Sequence, residues 1–195
     1  MVPISIQTIR DEHATLAAML RSFAMMVERG PAKDPHNFFA VLGAMLFYID
    51  EFPERLHHPK ETELLFPPVA RRAPETADLI ARLDRDHSHG EFAVRELSHL
   101  LRAWELLGDT RRVAFEAAAK RYVAFYLEHM RLEETVIIPT ALRVLGADDW
   151  EQLDAAFATN CDPLNGKTPR DPVYDQLFTR IVSKAPAPIG LGASS

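Results

Sequence analysis

Leu56-His57-His58-Pro59-Lys60-Glu61-Thr62-Glu63-Leu64-Leu65-Phe66-Pro67 sets a histidine and a carboxylate four residues apart. On a helix that spacing points both side chains the same way, one turn apart. The pairing recurs as His87-Ser88-His89-Gly90-Glu91 and as His129-Met130-Arg131-Leu132-Glu133, while His13 stands on an N-terminal amphipathic stretch without a partner carboxylate. Imidazole suits iron, zinc and copper, and carboxylates hold harder cations. His13, His57, His87 and His129 with Glu61, Glu91 and Glu133 are too many donors for one tetrahedral zinc. They suit two metal ions side by side, and the reading is a dinuclear iron site inside a four-helix bundle.

The periodicity around these residues supports the bundle. Ile6, Ile9, His13, Leu16, Leu20, Phe23 and Val27 recur at steps of three and four, which predicts a helix over about residues 5–29 stopped by Gly30-Pro31. A lone inward histidine is more often a satisfied core residue than a ligand, so His13 gains weight only from the others. Asp34 and Pro35 predict the N-cap and first position of a second helix, with Phe39, Leu42, Leu46 and Ile49 inward. Pro53 and Pro59 predict a kinked or two-piece helix ending near Phe66-Pro67-Pro68, since a proline inside a straight helix costs roughly 3 kcal/mol. A third helix spans about 74–107 with Leu83, His87, Gly90, Val94, Leu97, Leu101 and Trp104 inward. Gly90 there leaves room for a close neighbour or small ligand. Phe115, Ala118, Tyr122, Phe125, His129, Glu133 and Val136 mark a fourth helix, bent or ended by Pro139.

Short connections make neighbouring helices antiparallel, so ligand heights can be compared. His13 lies about 16 residues before the first turn and His57 about 22 after it, while His87 and His129 each lie about 21 from the turn at Gly108, at about 1.5 Å per residue. All four histidines therefore fall at roughly one level. The bundle occupies residues 1–146. Residues 147–195 form a packed extension with a short helix over 147–159, a loop over 160–170, a last amphipathic piece over 173–182 and a flexible Pro-, Gly- and Ser-rich tail.

Bulk properties narrow the class. At 195 residues, 47% hydrophobic and 26% charged, the chain reads as globular, and its net charge of −6 argues against a nucleic-acid platform or an anionic-lipid surface. Cys161 is the only cysteine, so no internal disulfide can form. No signal peptide or membrane-length apolar run is visible, and a cytoplasmic location is expected.

These motifs resemble the hemerythrin-like (HHE cation-binding) family over roughly residues 5–145, with His57-His58-Pro59-Lys60-Glu61 and the trailing Leu65-Phe66-Pro67 especially typical. The resemblance implies an all-α, up-down-up-down bundle around a non-haem di-iron centre, two irons that an oxo group can join. It implies His13, His57, His87 and His129 as nitrogen ligands and Glu61 and Glu133 as bridging carboxylates. Oxygen-carrying members have a second histidine on helix three where this chain has Glu91. A carboxylate ligand there favours the ferric state; an unbound Glu91 leaves a water-filled position. Both lean away from pure carriage toward oxygen, redox or nitric oxide sensing, or iron handling, with O2 or NO as the small partner. The alternative is a di-iron oxidase or an iron donor in iron–sulfur repair, so enzymatic activity stays open and no catalytic residue is assigned.

Rival readings of the same residues are weaker. Glu54-Arg55-Leu56-His57 and Glu96-Leu97-Ser98-His99 match the Glu-x-x-His of ferritin-like proteins, but Glu96 and His99 fall beside the helix-three stripe. A hydrolytic zinc site lacks its His-Glu-x-x-His pattern. His58 points about 100° from His57 and is expected to support the site or face solvent. Tyr122 and Tyr126 are expected to be core packing, and Glu134 is a fallback ligand.

Overall fold

The computed structural model describes residues 2–31, 34–160, 164 and 172–192. Among them lie six helices and no β-strand. Helix α1 is Ile4–Arg29, and α2 covers residues 35–72. Helix α3 is Ala77–Leu107, α4 covers 112–144, α5 is Ala147–Phe157 and α6 is Asp175–Lys184. The first four make the bundle: α3 packs on α4 and α2, and α1 packs on α4 and α2. This is the all-α bundle that the periodicity predicts. Among the described residues no helix is long and apolar enough to cross a membrane.

Local chemistry sets the ends. Helix α1 stops at Gly30 (φ 71°) and α3 at Gly108 (φ 80°), both in the left-handed region that glycine adopts without a Cβ penalty. Pro35 opens α2 at its first turn, and the Asp34 side chain accepts a hydrogen bond from the Asn37 amide at 3.1 Å.

Helix α2 does not end near Phe66-Pro67-Pro68 as its prolines suggest. It continues to Arg72, because π-helical turns absorb them. A proline lacks the N–H and crowds the carbonyl four residues back. The turns Asp50–His57 and Glu61–Leu65 in α2, and Glu133–Ile137 in α4, each close two residues before a proline, at Pro59, Pro67 and Pro139. Amides after these turns reach back five residues, as from His58 to the Pro53 carbonyl and from Ile138 to the Glu133 carbonyl. The helix therefore widens locally and runs on, and Glu61 and Glu133 each open such a turn.

Two apolar clusters fill the bundle. One gathers Leu16 and Phe23 of α1, Leu42 and Phe52 of α2, Val94 and Trp104 of α3, Phe115 and Tyr126 of α4, and Phe178 of α6. The other gathers Ile6 and Ile9, Leu65 and Phe66, Leu83, Ile137 and Ile138, with Leu153 and Phe157 of α5. On α1, α2 and α3 the candidate histidine falls between the residues of one cluster and those of the other, and on α4 His129 lies at the boundary beside Met130. A polar layer thus crosses the core between two dry ones.

The extension closes over the bundle. Helix α5 packs on α1, where Asp154 accepts from the Ser5 amide and hydroxyl at 2.7 and 2.6 Å. Helix α6 packs on the first part of α2. The tail expected to be flexible is folded back as far as Gly192. Ser22 donates to the Pro186 carbonyl at 2.8 Å, and the Leu191 amide donates to the Val182 carbonyl at 2.7 Å. Most of the predicted loop over 160–170, with Cys161, and the last three tail residues lie outside the described residues.

Gly90 of α3 does leave room for a neighbour, and that neighbour is the Tyr126 ring. A Cβ at Gly90 would overlap the Tyr126 hydroxyl and stand 2.5 Å from its Cζ. Gly90→Ala is therefore expected to lower the melting temperature. Overpacking costs about 1–3 kcal/mol, against roughly 1 kcal/mol gained in helix propensity. The loss should shrink in a Tyr126→Phe background, which removes the overlapping oxygen; equal losses in both backgrounds would show that the contact is not the cause.

Candidate metal centre

The polar layer is built from short segments of four helices. His13 comes from the middle of α1, His57, His58 and Glu61 from the π-helical region of α2, His87 from α3, and His129 and Glu133 from the junction of α4 with its π turn. All are buried, with Glu61 at 0% and Glu133 at 1% exposure. Three groups of their ligand atoms lie within 4.8 Å of one another: His13, His57 and Glu61; Glu61, His87, His129 and Glu133; and His58, His87 and His129.

The two carboxylates divide their oxygens between two histidine sets. Glu61 sets Oε1 3.2 Å from His57 Nε2 and Oε2 3.5 Å from His87 Nε2. Glu133 sets Oε2 3.3 Å from His13 Nε2, and Oε1 3.1 Å from His129 Nε2 and 3.8 Å from His87 Nε2. One oxygen of each thus faces His13 and His57, and the other faces His87 and His129. A carboxylate so divided can serve two cations at once.

All four of these oxygens are buried without a hydrogen bond, as is His57 Nε2. Two uncompensated carboxylates in an apolar core cost several kcal/mol each. The donor chemistry fits cations with mixed nitrogen and oxygen preference, of which iron is one.

Four of the five imidazoles are hydrogen-bonded through their other nitrogen. His13 Nδ1 lies 3.2 Å from Glu134 Oε1, His57 Nδ1 2.6 Å from Glu12 Oε2, His58 Nδ1 3.0 Å from Glu54 Oε2, and His87 Nδ1 2.9 Å from Thr62 Oγ1. His129 Nδ1 stands 3.5 Å from Asp86 Oδ2. Outer partners of this kind fix ring orientation and tautomer at metal sites. Glu12 in turn accepts from Asn160 Nδ2 at 3.0 and 3.1 Å, and Glu54 accepts from the hydroxyls of Tyr126 at 2.5 Å and Tyr122 at 3.1 Å.

Charge follows the same geometry. Burial opposes protonation of His13, but Glu133 and Glu134 outweigh it and raise its pKa to about 9. Burial likewise disfavours the His57 imidazolium, yet Glu61 and Glu12 hold its pKa well above the ordinary value. His58 is pushed well below it, by burial and then by His87, His57 and His129. Burial lifts the Glu54 carboxyl to about 7 against the two tyrosine hydrogen bonds. Glu133 goes well below the carboxylate range, since His129 and the other imidazoles overcome the effect of burial.

Six of the seven sequence candidates meet here, and Glu91 does not. Its carboxylate is 47% exposed and paired with Arg95 at 2.6 Å. The buried stripe of α3 runs Leu83, His87, Gly90, Val94, so the inward place one turn after His87 belongs to Gly90. Helix α3 is regular across this stretch, and Glu91 is carried round the edge of the stripe toward Arg95 instead of into the layer. Glu91 does not reach the layer, contrary to expectation; the helix-three carboxylate beside it is Asp86, 3.5 Å from His129 Nδ1.

Two other expectations change. His58 is neither a surface group nor turned out of the layer: its ring lies 5.5 Å from that of His57, with 82° between the ring planes, and both are buried. His57 faces His13 at 5.1 Å between ring centroids and His58 faces His87 at 4.3 Å. Glu54, Tyr122 and Tyr126 form a buried polar group beside it, not apolar packing alone. Glu12 and Asn160 carried no sequence signal as partners, since their contact spans 148 residues.

The family model described as hemerythrin HHE cation binding domain matches residues 5–141, which takes in every residue of this layer. No curated protein matches the chain.

A cation that took His13 as a ligand would displace the proton that it holds up to about pH 9. In the metal-free protein the raised pKa adds stability that is complete below about 6.5 and lost as pH rises through 9. Metal affinity has the opposite sign and climbs over that range. The melting-temperature gap between metal-loaded and metal-free protein should therefore widen from pH 6.5 to 9, followed by thermal denaturation at fixed free metal. A constant gap would mean that His13 gives up no proton to the metal.

Proposed function

The chain belongs to the hemerythrin HHE cation binding domain family, and from that premise we propose that it holds two iron ions side by side and binds O2 or another small diatomic there. The observation that carries this reading is the division of the Glu61 and Glu133 oxygens between two histidine sets. His13 and His57 would serve one ion, His87 and His129 the other, with Glu61 and Glu133 between them. Two bridging carboxylates offset much of the cationic charge, which a dry core otherwise disfavours. Bound there, iron supplies a redox-active centre that can take a small ligand.

The residues around the layer select for size and dryness. Its histidines and carboxylates are at most 7% exposed, and apolar clusters flank it on both sides, so only a very small partner fits beside them without unpacking the core. The Nδ1 partners Glu134, Glu12 and Thr62 keep each Nε2 aimed inward. That pre-orientation suits sensing of oxygen, nitric oxide or redox state as well as iron handling. A di-iron oxidase or iron donor is the second reading. It is favoured by the Tyr126 ring, an oxidisable group whose centroid lies 5.7 Å from that of His129.

Metal analysis of the purified protein, with visible spectra before and after reduction and O2 exposure, tests the reading. About two irons per chain and a reversible oxygenated band support diatomic binding. Irreversible oxidation with turnover supports the oxidase. Fewer than one metal per chain overturns both.

Substitutions test the residue assignments. Glu61→Ala should lose most of the metal, because one carboxylate serves both ions. Glu91→Ala should keep all of it. Metal loss in Glu91→Ala would show that helix three contributes a donor after all.

A further inference from the structure

Beside the four histidines of the bundle helices lies a fifth whose surroundings match theirs. His58 is 4% exposed and offers a ring nitrogen within 4.8 Å of nitrogens of His87 and His129. Its ring stacks on His87 at 4.3 Å with 10° between planes, and on the Tyr126 ring at 5.5 Å with 5°. A buried packing residue at this place needs no polar atoms, and leucine or phenylalanine would fill it at less desolvation cost. Instead the chain sets three more polar side chains behind His58, namely Glu54, Tyr122 and Tyr126, and hollows α3 at Gly90 to admit the last.

We infer that His58 is a fifth nitrogen ligand, serving the metal position faced by His87 and His129, and that Glu54 is the residue that positions it. The inference rests on the metal-binding reading above. Glu54 Oε2 takes up Nδ1 at 3.0 Å, which leaves Nε2 as the nitrogen for a cation, the arrangement that Glu12 imposes on His57. Tyr126 and Tyr122 both donate to the other oxygen, Oε1, so Glu54 cannot turn away. Helix α3 brings only His87 into the layer, and the additional imidazole arrives from α2, where His57 and His58 diverge to opposite sides of the same layer. The two positions then differ: His13 and His57 at one, and His58, His87 and His129 at the other, with Glu61 and Glu133 shared.

The test is ferrous-iron titration of the full chain under anaerobic conditions, comparing wild type with His58→Ala, with circular dichroism to verify the helices. The expected result is that His58→Ala keeps the metal at His13 and His57. It should bind the other at least roughly tenfold more weakly, so that about one of two ions is lost on dialysis. Glu54→Ala should weaken the same ion by roughly 10–100-fold. Glu54→Gln, which still accepts from Nδ1, should recover most of that loss, a recovery that a merely structural role does not give. Wild-type content and affinity in a folded His58→Ala overturn the inference. Should His58→Ala fail to fold, X-ray absorption on the wild-type iron protein decides: about five imidazoles per iron pair support the ligand, and four overturn it. If the wild type binds only one ion, the two-metal reading falls, and His58 is still judged by whether its removal weakens that ion.

Discussion

Two carboxylates in the middle of a dry core are the constraint on which the rest of the structure depends. Glu61 and Glu133 are 0% and 1% exposed, and none of their four oxygens has a hydrogen bond. A charge in that position is tolerated only with a compensating charge at close range. Imidazoles within 3.1–3.8 Å provide part of it in the protonated, metal-free chain, which is why His13 and His57 hold their protons so far above the ordinary value. A cation held between the carboxylates would replace those protons directly, so the cluster fits a proton store when empty and a donor cage when loaded.

The apolar clusters on either side isolate this layer. They exclude water, strengthen every electrostatic interaction within the layer and hold the helices at a spacing that side-chain motion alone does not change. The π turns matter for the same reason. By widening α2 at Asp50–His57 and Glu61–Leu65, the chain carries Pro53, Pro59 and Pro67 without breaking, and His57, His58 and Glu61 all stay within one layer. Helix α4 repeats the device at Glu133–Ile137 ahead of Pro139. Helix α3 has no such turn, and it delivers a single donor.

Support for the layer extends past the four bundle helices. Asn160, just beyond α5, binds both oxygens of Glu12, which holds His57, and Lys60 donates to Thr159 and Asn160. The end of the α5 segment is therefore linked through two hydrogen-bonded side chains to the His57 imidazole of the layer. On the opposite side Gly90, Tyr126 and Glu54 form a similar chain to His58. Asn160, Glu12, Tyr126 and Glu54 are all buried, so displacement of one leaves an unsatisfied group that its neighbours must accommodate.

The sequence by itself determined the helices and the layer. Steps of three and four are enforced by helix geometry, so the inward stripes of α1 and α3, and with them His13 and His87, were legible without coordinates. Counting residues from the turns placed His57 and His129 at the level of His13 and His87 for the same reason. The tertiary structure alone decided which borderline positions face the layer. Glu91 and His58 each lie off an ideal inward direction, and helical spacing ranks neither above the other. The decision came from the neighbours: Gly90 and Tyr126 occupy the space beside Glu91 and send it to Arg95, while the gap between α2 and α3 is wide enough for His58 to stack on His87. Contacts such as Glu12 with Asn160, 148 residues apart, leave no periodic trace, because nothing in local backbone geometry links their positions.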